Sequence, residues 1–210
     1  MKVIEDTKEQ LVENALKDAI SYKDYRAFTE QHAIVGTNSG DERSENLANY
    51  TMLNHKRMKR LDKTLKLSED VKTVITNYDN KVTWLVLTET WCGDAAQTMP
   101  VMQKFADLNE GIQFKVVLRD EHKELMDAFL YNGGRSIPKL IAYDSQGKKI
   151  VGDWGPRPTK ATKLVNDYKE EHGSLTPEFK QDLQIWYTKD KGQNTAEDLL
   201  KLLQQISLEK

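Results

Sequence analysis

The sequence holds a single cysteine, Cys92, in 210 residues. One cysteine excludes any intrachain disulfide, and with it the disulfide-stapled architectures of small secreted domains. No stretch approaches the roughly 20 apolar residues of a membrane-spanning helix. The first segment, MKVIEDTKEQLVENAL, is acidic and has no continuous apolar core, so it does not read as a signal peptide. Excess charge of either sign is also missing: 31 Lys and Arg face 33 Asp and Glu, a formal net charge of −2. That balance gives no electrostatic reason to expect nucleic acid or a membrane surface as partner. The four histidines, His32, His55, His122 and His172, are scattered without ligand spacing, and no metal site or cofactor is read. These absences leave a polar-surfaced chain whose expected address is the cytoplasm, where thiols stay reduced. Its oligomeric state is not legible.

What is present is organised around TETWCGDAAQTMP, Thr88 to Pro100. Before it, VTWLVLT reads as a buried strand, rich in β-branched and apolar residues and too short for a core helix. After it, Met99, Met102, Phe105 and Ala106 recur at helical spacing. A cysteine between strand and helix stands at a helix N-terminus, where unpaired N–H groups and the macrodipole favour an anion. Such a position can lower a thiol pKa from about 8.5 to between roughly 3.5 and 7.5. Cys92 is therefore the candidate nucleophile, with a buried, inert thiol as the competing reading.

The remaining elements follow in order. Residues 5–33 read as helical, with Ser21 as N-cap of a second helix, and GTNSGDERS (Gly36 to Ser44) reads as a loop. Glu45 to Leu65 reads as a long helix with Leu47, Tyr50, Met58, Leu61 and Leu65 in one sector. Its Lys56, Arg57, Lys59, Arg60 and Lys63 read as a solvated face, with an anion or partner site as the competing reading. Asn54 falls on the apolar side, where a backbone hydrogen bond is the usual fate of a buried amide. Ser68 caps a short helix. GIQFKVVLRD is a second strand, HKELMDAFL an amphipathic helix stopped by Asn132-Gly133-Gly134, and KLIAYD with KKIVGDW a hairpin. A helix from about Thr159 to His172 follows. Thr176-Pro177-Glu178 and Thr195-Ala196-Glu197-Asp198 then open two more.

The segment Trp91-Cys92-Gly93-Asp94-Ala95, with Pro100 further along the helix, resembles the active-site segment of thioredoxin-fold proteins. Arg135-Ser136-Ile137-Pro138, 46 residues after Cys92 and followed by KLIAYD, resembles that family's cis-proline segment. Together WCGDA, NGGRSIP and GDWGPRP are similar to a thioredoxin-like branch with helical extensions. The resemblance implies an α/β, three-layer sandwich around a central mixed sheet. It divides the chain into a helical extension (1–67), a thioredoxin-like domain (68–172) and a second helical extension (173–210). It also implies three loops converging beside Cys92: Trp91 to Asp94, Arg135 to Pro138 and Asp153 to Arg157. Trp91, Ile137 and Pro138 inherit substrate contacts, Ile137 through its backbone. Trp154 is either a groove wall or core material. Arg135 and Arg157 could hold a carboxylate or stabilise a thiolate, and Glu89 could approach either arginine.

Two departures from the family pattern matter. Ala95 stands where the second, resolving cysteine would be, and Val86 stands where a buried acid usually serves that second cysteine. Asp94 replaces the proline between them. A carboxylate in a first helical turn is favoured by the dipole alone. Near the sulfur it would oppose thiolate formation, or accept the thiol proton. The resemblance thus implies a monothiol disulfide oxidoreductase forming mixed disulfides with protein or low-molecular-weight thiols. The alternative is a non-catalytic thioredoxin-fold module that binds an extended peptide or protein.

Overall fold

The computed structural model describes residues 6–208; residues 1–5 and 209–210, the outer ends of the two expected extensions, lie outside it. Its centre is β2 (Val82–Thr88), every residue of which is buried. β2 pairs in parallel with β3 (Ile112–Leu118) and antiparallel with β4 (Lys139–Asp144). β5 (Lys149–Trp154) continues the sheet antiparallel to β4. A strand buried on both faces needs cover on both, which explains why β2 is unbroken apolar and β-branched sequence rather than an alternating one.

The helices supply that cover. α5 (Gly93–Leu108) follows β2, and α4 (Glu69–Thr76) and α9 (Gln193–Leu208) pack against it. Trp84 of β2 and Phe105 of α5 meet at a ring-centroid distance of 5.7 Å. On the opposite side α1 (Lys8–Asp18), with α6 (Lys123–Asp127) beside it, packs on β3 and β5. The architecture is a three-layer α/β sandwich with a five-stranded mixed sheet in the order β1-β3-β2-β4-β5. Among the described residues, no helix is long and apolar enough to cross a membrane.

The additional helices are continuous with this core. α2 (Tyr22–Val35) and α3 (Glu45–Thr64) pack together, and α3 also packs on α5. Ser21 caps α2 by accepting from the Asp24 N–H, and Ser44 caps α3 by accepting from the Leu47 N–H. α7 (Thr159–His172) and α8 (Pro177–Asp190) precede α9, with Thr176 capping α8. Leu199, Leu202, Leu203 and Ile206 of α9 join the main core.

Three details differ from the sequence-based expectation. The helical stretch of residues 5–33 is interrupted by a two-residue strand, β1 (Ile20–Ser21), which pairs with Val116 and Lys115 on the free edge of β3. Two residues carry no period-two pattern, so nothing local announces that strand. The helix expected across HKELMDAFL is a single turn. The Ala128 N–H is shared among the carbonyls of Glu124, Leu125 and Met126, which tightens and ends it. The Gly36–Ser44 segment is a loop, but Asn38 and Ser39 within it are buried.

Because Leu203 is 1% exposed in the main core, Leu203→Ala should cost about 2–5 kcal/mol of unfolding free energy. Urea denaturation checks this; a loss below about 1 kcal/mol would mean that α9 merely decorates the sheet.

Candidate functional site

Cys92 is the N-cap of α5. Its Sγ accepts the Ala95 N–H at 3.4 Å, and its own thiol hydrogen is donated to the Ile137 carbonyl at 3.2 Å. The Ile137–Pro138 bond is cis, as is Gly155–Pro156. The loops bearing these two bonds press together at Gly155, whose φ is +118° and where a Cβ would lie 2.2 Å from the Pro138 carbonyl oxygen. No side chain fits there. Both lie beside the start of α5: Ile137 touches Cys92, and Arg157 reaches Asp94.

Asp94, in the first turn of α5, is buried and carries two partners. The Arg157 guanidinium stands 2.8 Å from Oδ2, and the Tyr187 hydroxyl donates to Oδ1 at 2.9 Å. Burial pushes the Asp94 carboxyl up, against the pull of Arg157, Tyr187 and the more distant Arg57, which favour its charged form. The thiol responds to the same surroundings. Burial is the largest influence on Cys92 and the Asp94 charge the next; together they push it up to about 12, although the Ala95 and Asp94 N–H groups and Arg157 pull the other way. A helix N-terminus alone would lower this pKa. Here desolvation outweighs it, and the resting thiol is protonated.

A second buried carboxylate secures the turn before Cys92. Glu89 accepts from the Ser39 hydroxyl and, at 3.0 Å, from the Asp120 N–H. Ser39 and Thr90 exchange two hydrogen bonds: the Ser39 N–H to Thr90 Oγ1 at 2.9 Å and the Thr90 N–H to Ser39 Oγ at 2.8 Å. Trp91 Nε1 donates to the Ser39 carbonyl at 3.2 Å, while the Arg119 guanidinium lies 5.0 Å above the indole. Asn54 donates to the Thr90 carbonyl at 3.0 Å, and Tyr25 donates to the Glu89 carbonyl at 3.1 Å. Gly40 makes the loop's approach possible: at φ +89°, a Cβ would stand 2.6 Å from Asp120 Oδ2.

Several side chains lie elsewhere than expected. Arg135 is not at the thiol; it forms an exposed bidentate pair with Asp127 at 2.6 and 2.5 Å. Glu89 approaches neither Arg135 nor Arg157, because Ser39 and Asp120 already satisfy it. Trp154 is half-buried and packs against the main core, which favours its reading as core material. Arg57 leaves the solvated face of α3: it donates to Asn54 Oδ1 at 2.8 Å, and its Nη1 lies 3.7 Å from where a Gly93 Cβ would be. Sequence reasoning missed Tyr187 and Gln184 of α8. Gln97 of α5 donates to Gln184 at 2.9 Å, and Gln184 Nε2 comes within 3.3 Å of the position of a Gly93 Cβ. The one available signal was a tyrosine on the apolar stripe of α8, since a buried phenol needs a partner for its hydroxyl. Among the described residues no cluster of three or more His, Cys, Asp or Glu could hold a metal ion.

Chemically the arrangement offers one sulfur, an adjacent peptide edge at Ile137 and a paired carboxylate. Within the chain no second sulfur can resolve an adduct on Cys92. Comparison with known proteins agrees with the fold. A family model described as thioredoxin matches residues 40–169. Two solved structures share the architecture: a Pseudomonas aeruginosa protein of unknown function, 16% identical with a TM-score of 0.57, and an HIV epitope-scaffold, 13% identical with a TM-score of 0.54. Each match covers 88% of this chain and 98% of the other. At these identities the likeness is one of fold. No curated protein matches.

Two outcomes follow from the site's geometry. Gly40→Ala forces a Cβ onto Asp120 at a left-handed φ, and should lower stability by about 1–3 kcal/mol in thermal or urea unfolding. The Cys92 thiol, raised from 9.0 to about 12 on folding, contributes fully below pH 9, and that contribution is lost as pH rises from 9 towards 12. At pH 10 the wild type should therefore have lost roughly 1 kcal/mol more than Cys92→Ser, each relative to its own stability at pH 7. Parallel stability–pH curves for the two proteins would show that the thiol is not desolvated.

Proposed function

The chain belongs to the thioredoxin family, and on that premise we propose that it is a monothiol thiol–disulfide oxidoreductase with Cys92 as its attacking sulfur. The observation that carries this reading is the placement of Sγ at the N-terminus of α5, 3.2 Å from the Ile137 carbonyl. In the exchange, the Cys92 thiol gives its proton to solvent and the thiolate attacks one sulfur of a substrate disulfide. The S–S bond breaks, the other sulfur leaves as a thiolate and takes up a proton, and Cys92 is left in a mixed disulfide. Ala95 supplies no second sulfur, so an external thiol attacks the mixed disulfide and returns Cys92 to its reduced form. No net electrons are gained by the protein over the cycle. Low-molecular-weight thiols of the cytoplasm, or a protein thiol, are the partners this scheme requires.

The peptide edge at Ile137, beside Pro138, would hold an extended substrate segment by backbone hydrogen bonds, in the manner of strand addition. The thiol hydrogen now occupies the Ile137 carbonyl and would be released as the thiolate forms. Trp91, held by Ser39 and Arg119, and Arg157 would border the substrate. Asp94 opposes thiolate formation while paired beside it, which sets the reaction's dependence on how well the site is solvated. Residues 68–172 are the catalytic module in this reading, and 1–67 and 173–210 its helical extensions.

A specific observation favours a second reading. A thiol pushed up to about 12 presents almost no thiolate at neutral pH. If it stays so in solution, the groove at Ile137–Pro138 serves as a non-catalytic binding module for an extended peptide. The two readings separate by mass spectrometry of protein incubated with oxidised glutathione. The redox reading expects a single glutathione adduct on Cys92, absent in Cys92→Ser and removed by reduced thiol. Without an adduct at long incubation, and with peptide binding unchanged in Cys92→Ser, the binding module is the function.

A further inference from the structure

We propose that α8 is a latch over the Cys92 site, closed by Tyr187 and Gln184, whose release admits substrate to the sulfur. The inference rests on the redox reading above for its biological purpose, but its physical content is a property of α8 alone.

The latch makes two polar attachments to α5. Tyr187 donates to Asp94 at 2.9 Å, and Gln184 accepts from Gln97 at 2.9 Å. Between them Gln184 Nε2 lies directly over Gly93, the residue after the thiol. With α8 in place, Cys92 is 6% exposed, and Tyr187 is itself buried.

The apolar anchoring of α8 goes elsewhere. Leu183 and Tyr187 belong to a small cluster with Ala161 and Val165 of α7, to which Leu175, Phe179 and Trp186 add partly buried surface. This cluster is separate from the main core. The next helix behaves differently: α9 sends Leu199, Leu202, Leu203 and Ile206 into the main core. The apolar contacts of α8 are thus made to α7 and not to the sheet, so α8 can lift from α5 while α7 stays tied to α9 through Thr159–Asp198 and Lys160–Asn194. What opens beyond α5 is this small cluster and the Asn194 N–H bond to Asp190 at the end of α8. The segment is bounded by Gly173 (φ 76°) and by Lys191 and Gly192 (φ 55° and 78°), where the chain reverses in the left-handed region.

The chemistry at the uncovered end also tolerates release. Asp94 retains Arg157 when Tyr187 leaves, so lifting α8 does not strand a buried charge. What opening removes is the cover of Tyr187 and Gln184, and desolvation is the largest influence holding the thiol protonated. The Ala95 N–H and Arg157, which favour the thiolate, stay behind. A closed latch therefore stores the sulfur in an inert form, and an open one hands it to a substrate at a helix N-terminus.

The test uses the full-length protein and a thiol probe rather than turnover. Iodoacetamide alkylation of Cys92 at pH 8 is compared in wild type, Tyr187→Phe and Gln184→Ala, with all three also measured in guanidinium to equalise intrinsic reactivity. Loss of a hydrogen bond to a charged group should accelerate alkylation about ten- to hundred-fold in Tyr187→Phe, with a smaller rise in Gln184→Ala. Hydrogen exchange in the wild type should show α8 amides exchanging ahead of those of α9. Unchanged alkylation in both variants, or α8 and α9 amides exchanging together, would overturn the latch. Accelerated alkylation without a glutathione adduct in any variant upholds the latch and sinks the redox reading. Equal rates of adduct formation in wild type and both variants do the reverse.

Discussion

A carboxylate buried beside a thiol is the constraint from which the site's arrangement follows. Asp94 cannot sit in the first turn of α5, shielded from water, without a cation and a donor. Arg157 and Tyr187 supply them from two distant parts of the chain, the loop after β5 and the second helix beyond it, α8. Satisfying one side chain thus draws the C-terminal helices onto the end of the sheet that carries Cys92. The same closure desolvates Cys92. Acidity of the thiol is decided by this competition, with burial and the Asp94 charge on one side and the helix N–H groups and Arg157 on the other.

Glu89 performs a comparable task on the other side of the turn. It is fully buried, and its acceptors are filled by Ser39 and by the Asp120 backbone. The cost of leaving such a group unpaired ties the Gly36–Ser44 loop to the strand that delivers Cys92. Through Ser39 the loop also holds the Trp91 indole and the Thr90 backbone. The N-terminal helices therefore brace the turn before Cys92: Asn54 and Thr51 of α3, and Tyr25 of α2, all meet the Glu89–Thr90 backbone or the Thr90 hydroxyl. Two buried acids organise the two sides of one cysteine.

A thioredoxin fold with one cysteine has no internal dithiol couple to set a reduction potential. In the proposed redox reading, control would come from access and from the thiol's protonation state. α8 rests on a separate apolar cluster rather than on the main core, the feature on which the proposed latch depends. Holding Asp94 by Arg157 as well as Tyr187 makes its opening electrostatically tolerable.

Apart from the two-residue β1, the order of strands and helices was legible in the chain because hydrophobic period and capping chemistry are local. VTWLVLT read as a buried strand, and Ser21, Ser68 and Thr176 each cap a helix where their sequence places them. The position of Cys92 at a helix start was equally local. Which partners reach it was not. Tyr187 stands 93 residues from Asp94 and Ser39 stands 50 from Glu89, and neither pair leaves a trace in spacing or composition. Arg135 and Arg157 look alike in sequence, yet one spends itself on Asp127 at the surface and the other on Asp94. The balance that sets the thiol's acidity was out of reach of the sequence for the same reason. A helix N-terminus is written in a few adjacent residues, whereas desolvation is the sum of everything that folds back over them, and only the tertiary structure performs that sum.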